Sequence, residues 1–140
     1  MIYFKNIRWK NLLSTGNQFT EIQLNKISTT LIVGENGSGK STVLDALCFG
    51  LFSKPFRRIN RPQLINSIND GGLLVEIEFD YGSKSYMVRR GIKKNIFEIF
   101  IDGKRLNQDA RTADQQEYLE KTILKLNYKS FTQIVLLGAN

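Results

Sequence analysis

Residues 34–41 read GENGSGKS and fit the spacing G-x-x-x-x-G-K-[ST]. Each residue type in that pattern has a task at a polyphosphate. Gly34, Gly37 and Gly39 let the backbone curl until successive N–H groups point into one concavity, an anion nest. A helix that begins inside the motif adds the positive end of its dipole. The Lys40 ammonium then reaches the β- and γ-phosphates, and the Ser41 hydroxyl is placed to ligate Mg²⁺. A glycine-rich turn with a solvent-facing lysine would explain neither the flanking apolar runs nor the second hydroxyl at Thr42. Nucleotide binding is the chemistry implied. No Thr/Asn-Lys-x-Asp sequence for reading guanine occurs in the chain, so ATP with Mg²⁺ is the expected ligand.

Such a loop needs a strand before it and a helix after it. STTLIV (28–33) is β-branched and ends at Gly34, as a buried strand feeding the loop would. KSTVLDALCFGLF (40–52) carries apolar side chains nearly all round, which predicts a helix packed between layers, with Gly50 weakening its last turn. Upstream, IYFKNIRW (2–9) and FTEIQL (19–24) alternate as strands, with Ile2, Phe4, Ile7 and Trp9 as the inward set of the first. Lys54-Pro55 breaks the helix, and RRINRPQLINSINDGG (57–72) reads as a polar connector. GLLVEIEFD (72–80), SYMVRR (85–90), NIFEIFI (95–101) and KRL, joined through YGSK and Asp102-Gly103, form an antiparallel meander of about four strands. From Thr112 the period changes. Thr112 to Gln115 is a capping box, and Leu119, Ile123 and Leu126 mark one face of a helix expected to end near Asn127. The apolar SFTQIVLLGAN that follows is expected to pair with something further along.

Hydrolysis also requires an acidic metal-binding strand. The one candidate, LLVEIEFD (73–80), alternates, placing Val75, Ile77 and Phe79 on one face and Glu76 and Glu78 toward solvent on the other. It reads as a meander strand, so the catalytic carboxylate is expected outside these residues.

Composition narrows the alternatives. At 140 residues, 41% of them apolar, the chain has the length of one domain. No run of about 18 apolar residues exists to span a membrane, and the opening MIYFKNIRWKNLL has no signal-peptide pattern. A single cysteine, Cys48, excludes a disulfide framework and a CxxC zinc site, and the absence of histidine excludes Ser-His and Cys-His nucleophile systems. These features fit a reducing cytoplasm. The net charge of +7 is concentrated in two clusters, Lys54, Arg57, Arg58 and Arg61, and Arg89, Arg90, Lys93 and Lys94. Such clusters are compatible with a polyanion such as DNA, and equally with an ordinary solvated face.

Taken in full, N-G-S-G-K-S-T followed by a Leu-Asp-Ala helix resembles the SbcC-type, SMC-like DNA double-strand-break-repair ATPases. Within them the chain is most similar to the large subunits of phage recombination endonucleases. The opening 2–16, the meander and YKSFTQIVLLGA (128–139) match the family's first strand and loop, its β-lobe and its Q-loop segment in order. The resemblance implies an α/β P-loop NTPase fold of ABC/SMC-head type, with residues 1–140 as the N-terminal lobe: an antiparallel β-meander and flanking helices. It implies that Gly34, Glu35, Asn36, Gly37, Ser38, Gly39, Lys40, Ser41 and Thr42 bind the nucleotide. Lys40 and Gln133 would be catalytic, and Ser41 and Gln133 would hold Mg²⁺. Ser14 and Thr15 are candidates for contact near the base or sugar, while Leu12 and Leu13 stand where many cellular relatives carry an arginine.

The family's signature motif, carboxylate strand, switch histidine and coiled coil with a zinc-hook CxxC are absent from these residues. The implied partners are the C-terminal lobe of the same head, a second head in a homodimer, an SbcD-type nuclease subunit and DNA, without a membrane. The implied location is the cytoplasm, that of a host cell for a phage-encoded chain. Two other readings stay open at this point: the ATP-binding subunit of a membrane transporter, and a non-hydrolysing, nucleotide-gated DNA-binding module.

Overall fold

A computed structural model describes residues 2–12, 16, 18–23, 38–54, 72–106 and 112–131, with side chains from Val43 and Asp114 onward in the two helices. The expected strand 28–33, most of the connector 57–72 and the segment after Phe131 lie outside these residues.

Among the described residues six strands form one antiparallel sheet: β1 (Ile2–Lys10), β2 (Thr20–Gln23), β3 (Leu73–Tyr81), β4 (Lys84–Ile92), β5 (Ile96–Ile101) and β6 (Lys104–Arg105). Their order across the sheet is β2-β1-β3-β4-β5-β6, so β3 to β6 make the meander read from the alternation. Asp102 and Gly103 both take positive φ, 51° and 83°. A two-residue turn that follows the right-handed strand twist requires this, and it explains why Asp-Gly sits there. The Asp102 carboxylate also accepts the Ser85 N–H at 2.8 Å.

The core face of β1 shows how a simple alternation is modified. Phe4 pairs with Phe79 and Asn6 with Glu78, leaving Lys5 as an extra residue in a bulge. The bulge changes the parity, so Ile2 and Phe4 before it and Ile7 and Trp9 after it face the same side. On that side they meet Val75, Ile77, Phe79, Val88 and Ile99, and α1 (Ser38–Phe52) lies across them. Every residue from Val43 to Phe52 is buried, as the all-round apolar pattern required. Gly50 marks close approach: a Cβ there would lie 2.4 Å from Ile77 Cδ1 and 3.1 Å from Val75 Cγ1.

The last helical region differs from its expected form. The α-helix α2 covers Thr112–Tyr118, and Leu119–Leu124 continues as a π-helix that stops at Lys125 in a left-handed conformation, φ 55°. The i→i+5 pattern sets Leu119 and Leu124 one turn apart, and both are buried with Ile123. Leu126 is only partly buried, so the core is met two residues earlier than a regular α-helix would meet it. A helical turn at 128–131 then brings Phe131 against Phe4 and Phe52.

Gly50→Ala tests the close approach of helix to sheet. Overpacking costs about 1–3 kcal/mol, against up to ~1 kcal/mol returned by alanine's helix propensity. A net loss of about 1 kcal/mol is expected in urea unfolding, and Ile77→Val, which deletes the Cδ1 in the way, should recover part of it in the double variant.

Candidate nucleotide site and its supports

The backbone of α1 opens at Ser38, inside the GENGSGKS motif, so residues 38–42 form its first turn as a phosphate loop requires. That turn contains no acidic residue. The first N–H groups of a helix have no partner within it, and with the dipole they favour an anion. The described part of the motif therefore fits a nucleotide's phosphates. Gly34, Glu35, Asn36, Gly37, Ser14, Thr15 and Gln133 lie outside the described residues, as do the side chains of Lys40, Ser41 and Thr42.

At the opposite end of α1 three carbonyls have described donors, one from the next residue along the chain and two from other elements. Ser53, in a left-handed conformation, donates its N–H to the Phe49 carbonyl at 2.8 Å. Arg90 of β4 donates from Nε to the Gly50 carbonyl at 3.0 Å. Gln116 of α2 donates from Nε2 to the Leu51 carbonyl at 2.9 Å. The last turn of α1 holds no basic residue of its own, so the cation that complements its dipole is supplied by β4. Asp45 and Cys48 are buried along the helix body. Burial, and then the neighbouring Asp45, push the Cys48 thiol up to about 12.

The charges on the sheet correct two readings of the sequence. Glu76 is not turned to solvent: it is 5% exposed, held between Arg8 on β1 and Arg89 on β4, with Arg89 Nε at 2.7 Å. Its strand lies mid-sheet, so each neighbour offers it a guanidinium. The row continues through Glu98, 2.9 Å from Arg89 and 3.0 Å from Arg105. Hydrogen bonding to Glu98 raises the Arg89 pKa still further. The second basic cluster is thus not a continuous cationic patch, because Arg89 is bound to two carboxylates and Arg90 is buried. Only Lys93 and Lys94 of it are exposed, in the β4–β5 turn. Of the first cluster, Lys54 is described, with its ammonium 5.4 Å from the Tyr128 ring. Arg57, Arg58 and Arg61 lie outside.

Arg90 and Gln116 were not among the site residues expected from sequence. A signal existed for Arg90: alternation in SYMVRR puts it on the face of Tyr86 and Val88, a charge among core positions. Leu12, in the loop behind β1, is fully buried in the core.

Residues 6–140 match the protein family described as AAA domain. The chain belongs to this family. Exonuclease subunit 2 of Escherichia phage RB69 is 49% identical over 132 residues, which cover 94% of this chain and 23% of that protein. The DNA double-strand break repair Rad50 ATPase of Thermoplasma acidophilum is 34% identical over 100 residues, covering 67% of this chain and 11% of that one. The chain therefore spans about a quarter or less of these relatives' length. Among solved structures, the Smc head bound to the C-winged helix domain of ScpA superposes with a TM-score of 0.55 at 20% identity, over 92% of this chain and 42% of that one. The resemblance to SbcC-type repair ATPases read from the motifs is borne out, as is the fold of an ABC/SMC-type N-terminal lobe. Among the described residues no helix is long and apolar enough to cross a membrane.

The buried thiol gives a prediction. Cys48 should resist iodoacetamide at pH 8 in the native chain and react on unfolding. The folded thiol titrates near 12 while the unfolded one titrates near 9.0. Between these values the unfolded state has lost its proton and the folded state has not, so stability falls as pH rises through that window. Urea midpoints measured across it should decline, and Cys48→Ala should flatten the decline.

Proposed function

We propose that this chain is the ATP-binding lobe of a DNA repair and recombination ATPase that works with a nuclease subunit in double-strand-break processing. One observation carries the reading: α1 opens at Ser38 within GENGSGKS, with an acid-free first turn and a body fixed in the core. The relatives named for break repair and exonuclease function support the biological setting.

In this reading residues 34–42 bind the triphosphate. Backbone N–H groups of the loop and of the first turn of α1 hold phosphate oxygens, and Lys40 spans the β- and γ-phosphates. Ser41 and Gln133 hold Mg²⁺, and Gln133 orients the attacking water. Mg²⁺, when bound, neutralises charge developing on the phosphates. The carboxylate that completes hydrolysis comes from a C-terminal lobe, and a second head closes the site. The sheet supports this division of labour. Glu76 and Glu78 project from the face of β3 opposite the side chains that pack on α1, and Glu76 is neutralised by two arginines. DNA and an SbcD-type nuclease subunit are the further partners, with Lys54, Arg57, Arg58 and Arg61 proposed as phosphate contacts.

Calorimetry on the 140-residue chain should show Mg-ATP binding that Lys40→Ala weakens by about tenfold to a hundredfold, the value of a charge-assisted contact. Turnover should be negligible until a C-terminal lobe is supplied in trans, and robust turnover by the chain alone would overturn the divided site. DNA binding should weaken steeply with salt. Neutralising Lys54, Arg57, Arg58 and Arg61 together should flatten that dependence, whereas an unchanged slope would remove them from the interface.

A further inference from the structure

The far end of α1 is a node at which three elements meet. Arg90 arrives from β4, is 3% exposed, and lays its guanidinium over the Phe97 ring of β5 at 3.7 Å. Its Nε bonds the Gly50 carbonyl, and its Nη2 bonds the side-chain oxygen of Gln116. Gln116 in turn donates to the Leu51 carbonyl and, at 2.8 Å, to Glu120 at the start of the π-helix. The fork of a guanidinium, stacked and bidentate, sets both distance and direction in a way an ammonium cannot. Gly50, where a Cβ would run into Ile77 and Val75, is the residue whose carbonyl it holds.

We infer that Arg90, bridged by Gln116, is the positioning residue of the phosphate-loop helix: it fixes the height and rotation of α1 and so the direction of its first-turn N–H groups. This rests on the nucleotide-binding reading above and adds to it the element that aligns the site. A helix of 15 residues transmits a shift at one end to the other with little loss, because its hydrogen-bonded rise is stiff along the axis. Phosphate recognition by backbone N–H groups depends on their direction, and small misplacements from distant changes cost binding and rate. Gln116 and Glu120 tie the same node to the π-helical region.

The test is Mg-ATP calorimetry on the 140-residue chain and on Arg90→Met, Arg90→Lys, Gln116→Leu, Ile99→Val and Lys40→Ala, each first shown to be folded by circular dichroism. Ile99 lies in the core on β5 and serves as a control for general loss of stability. Arg90→Met and Gln116→Leu are expected to weaken ATP binding about tenfold. Arg90→Lys, which returns the charge without the fork, should recover part of the loss, and Ile99→Val should bind as the unaltered chain does. Unchanged affinity in the folded Arg90 and Gln116 variants, or an equal loss in Ile99→Val, overturns the inference. If Arg90→Met does not fold, Gln116→Leu decides by the same criterion. If the unaltered chain and Lys40→Ala both fail to bind ATP, the nucleotide-binding reading falls and takes the inference with it.

Discussion

The structure is organised around a helix whose body, residues 43–52, is buried on every side. An amphipathic helix needs one partner surface, whereas α1 must be enclosed while its N-terminus stays accessible. Enclosure explains the sheet, whose inner face from β1 to β5 is apolar except at Arg90, and the buried Leu119, Ile123 and Leu124 of the π-helical region, which belong to the same core. It also creates a difficulty at the C-terminal end. Carbonyls left there without donors would be buried, at roughly 1–3 kcal/mol for each. Ser53, Arg90 and Gln116 answer this, and the cation chosen complements the helix dipole as well. The apolar body and the polar cap are thus consequences of one requirement.

The outer face of the same sheet follows a different rule. Arg8, Glu76, Arg89, Glu98 and Arg105 alternate in sign across five strands, so the buried carboxylate of Glu76 is matched on both sides. Ion pairs whose arginines are a third or more exposed contribute about 0–1 kcal/mol each, so the row adds little stability. Its effect is to let a mid-sheet strand carry acids without a charge penalty. That pairing is also why net charge misdescribes this surface. Arg89 and Arg90 adjoin in sequence, yet alternation sends one to the outer row and the other beneath the helix.

Much of the architecture was legible in the sequence because the underlying periods are strong. Residues 75–80 of β3 alternate cleanly, Asp102-Gly103 fixes a turn that few other dipeptides can make, and residues 43–52 admit no exposed face. What escaped was set by tertiary context. The Lys5 bulge is invisible in a pattern whose parity simply changes, and the π-helix answers to where the core lies, not to local propensity. Glu76 reads as solvent-facing because nothing within its own strand announces the arginines that β1 and β4 place on either side of it. Of the site, the motif and the helix that leaves it were legible. The residues that brace that helix come from β4 and α2, more than 35 positions away in the chain by the count from Gly50 to Arg90, and no spacing rule links them.

Bracing from a distance has a consequence for how such a site can be regulated. In the proposed site much of the phosphate binding comes from main-chain groups of the loop and the helix N-terminus, whose direction follows the helix. The setting of the helix is therefore a further variable, and side chains of the meander and of α2 bond its last carbonyls. A load placed on the meander, or a partner that shifts the helical region around Gln116, acts on the same two carbonyls. Under the proposed nucleotide binding, affinity and the position of the meander are linked reciprocally, so that any ordering ATP imposes on α1 is returned to β4 with the same free energy. On the proposed reading, Arg90 is the group through which the nucleotide end of α1 and the sheet would act on each other, because it alone of the described side chains on β4 bonds a carbonyl of the helix end.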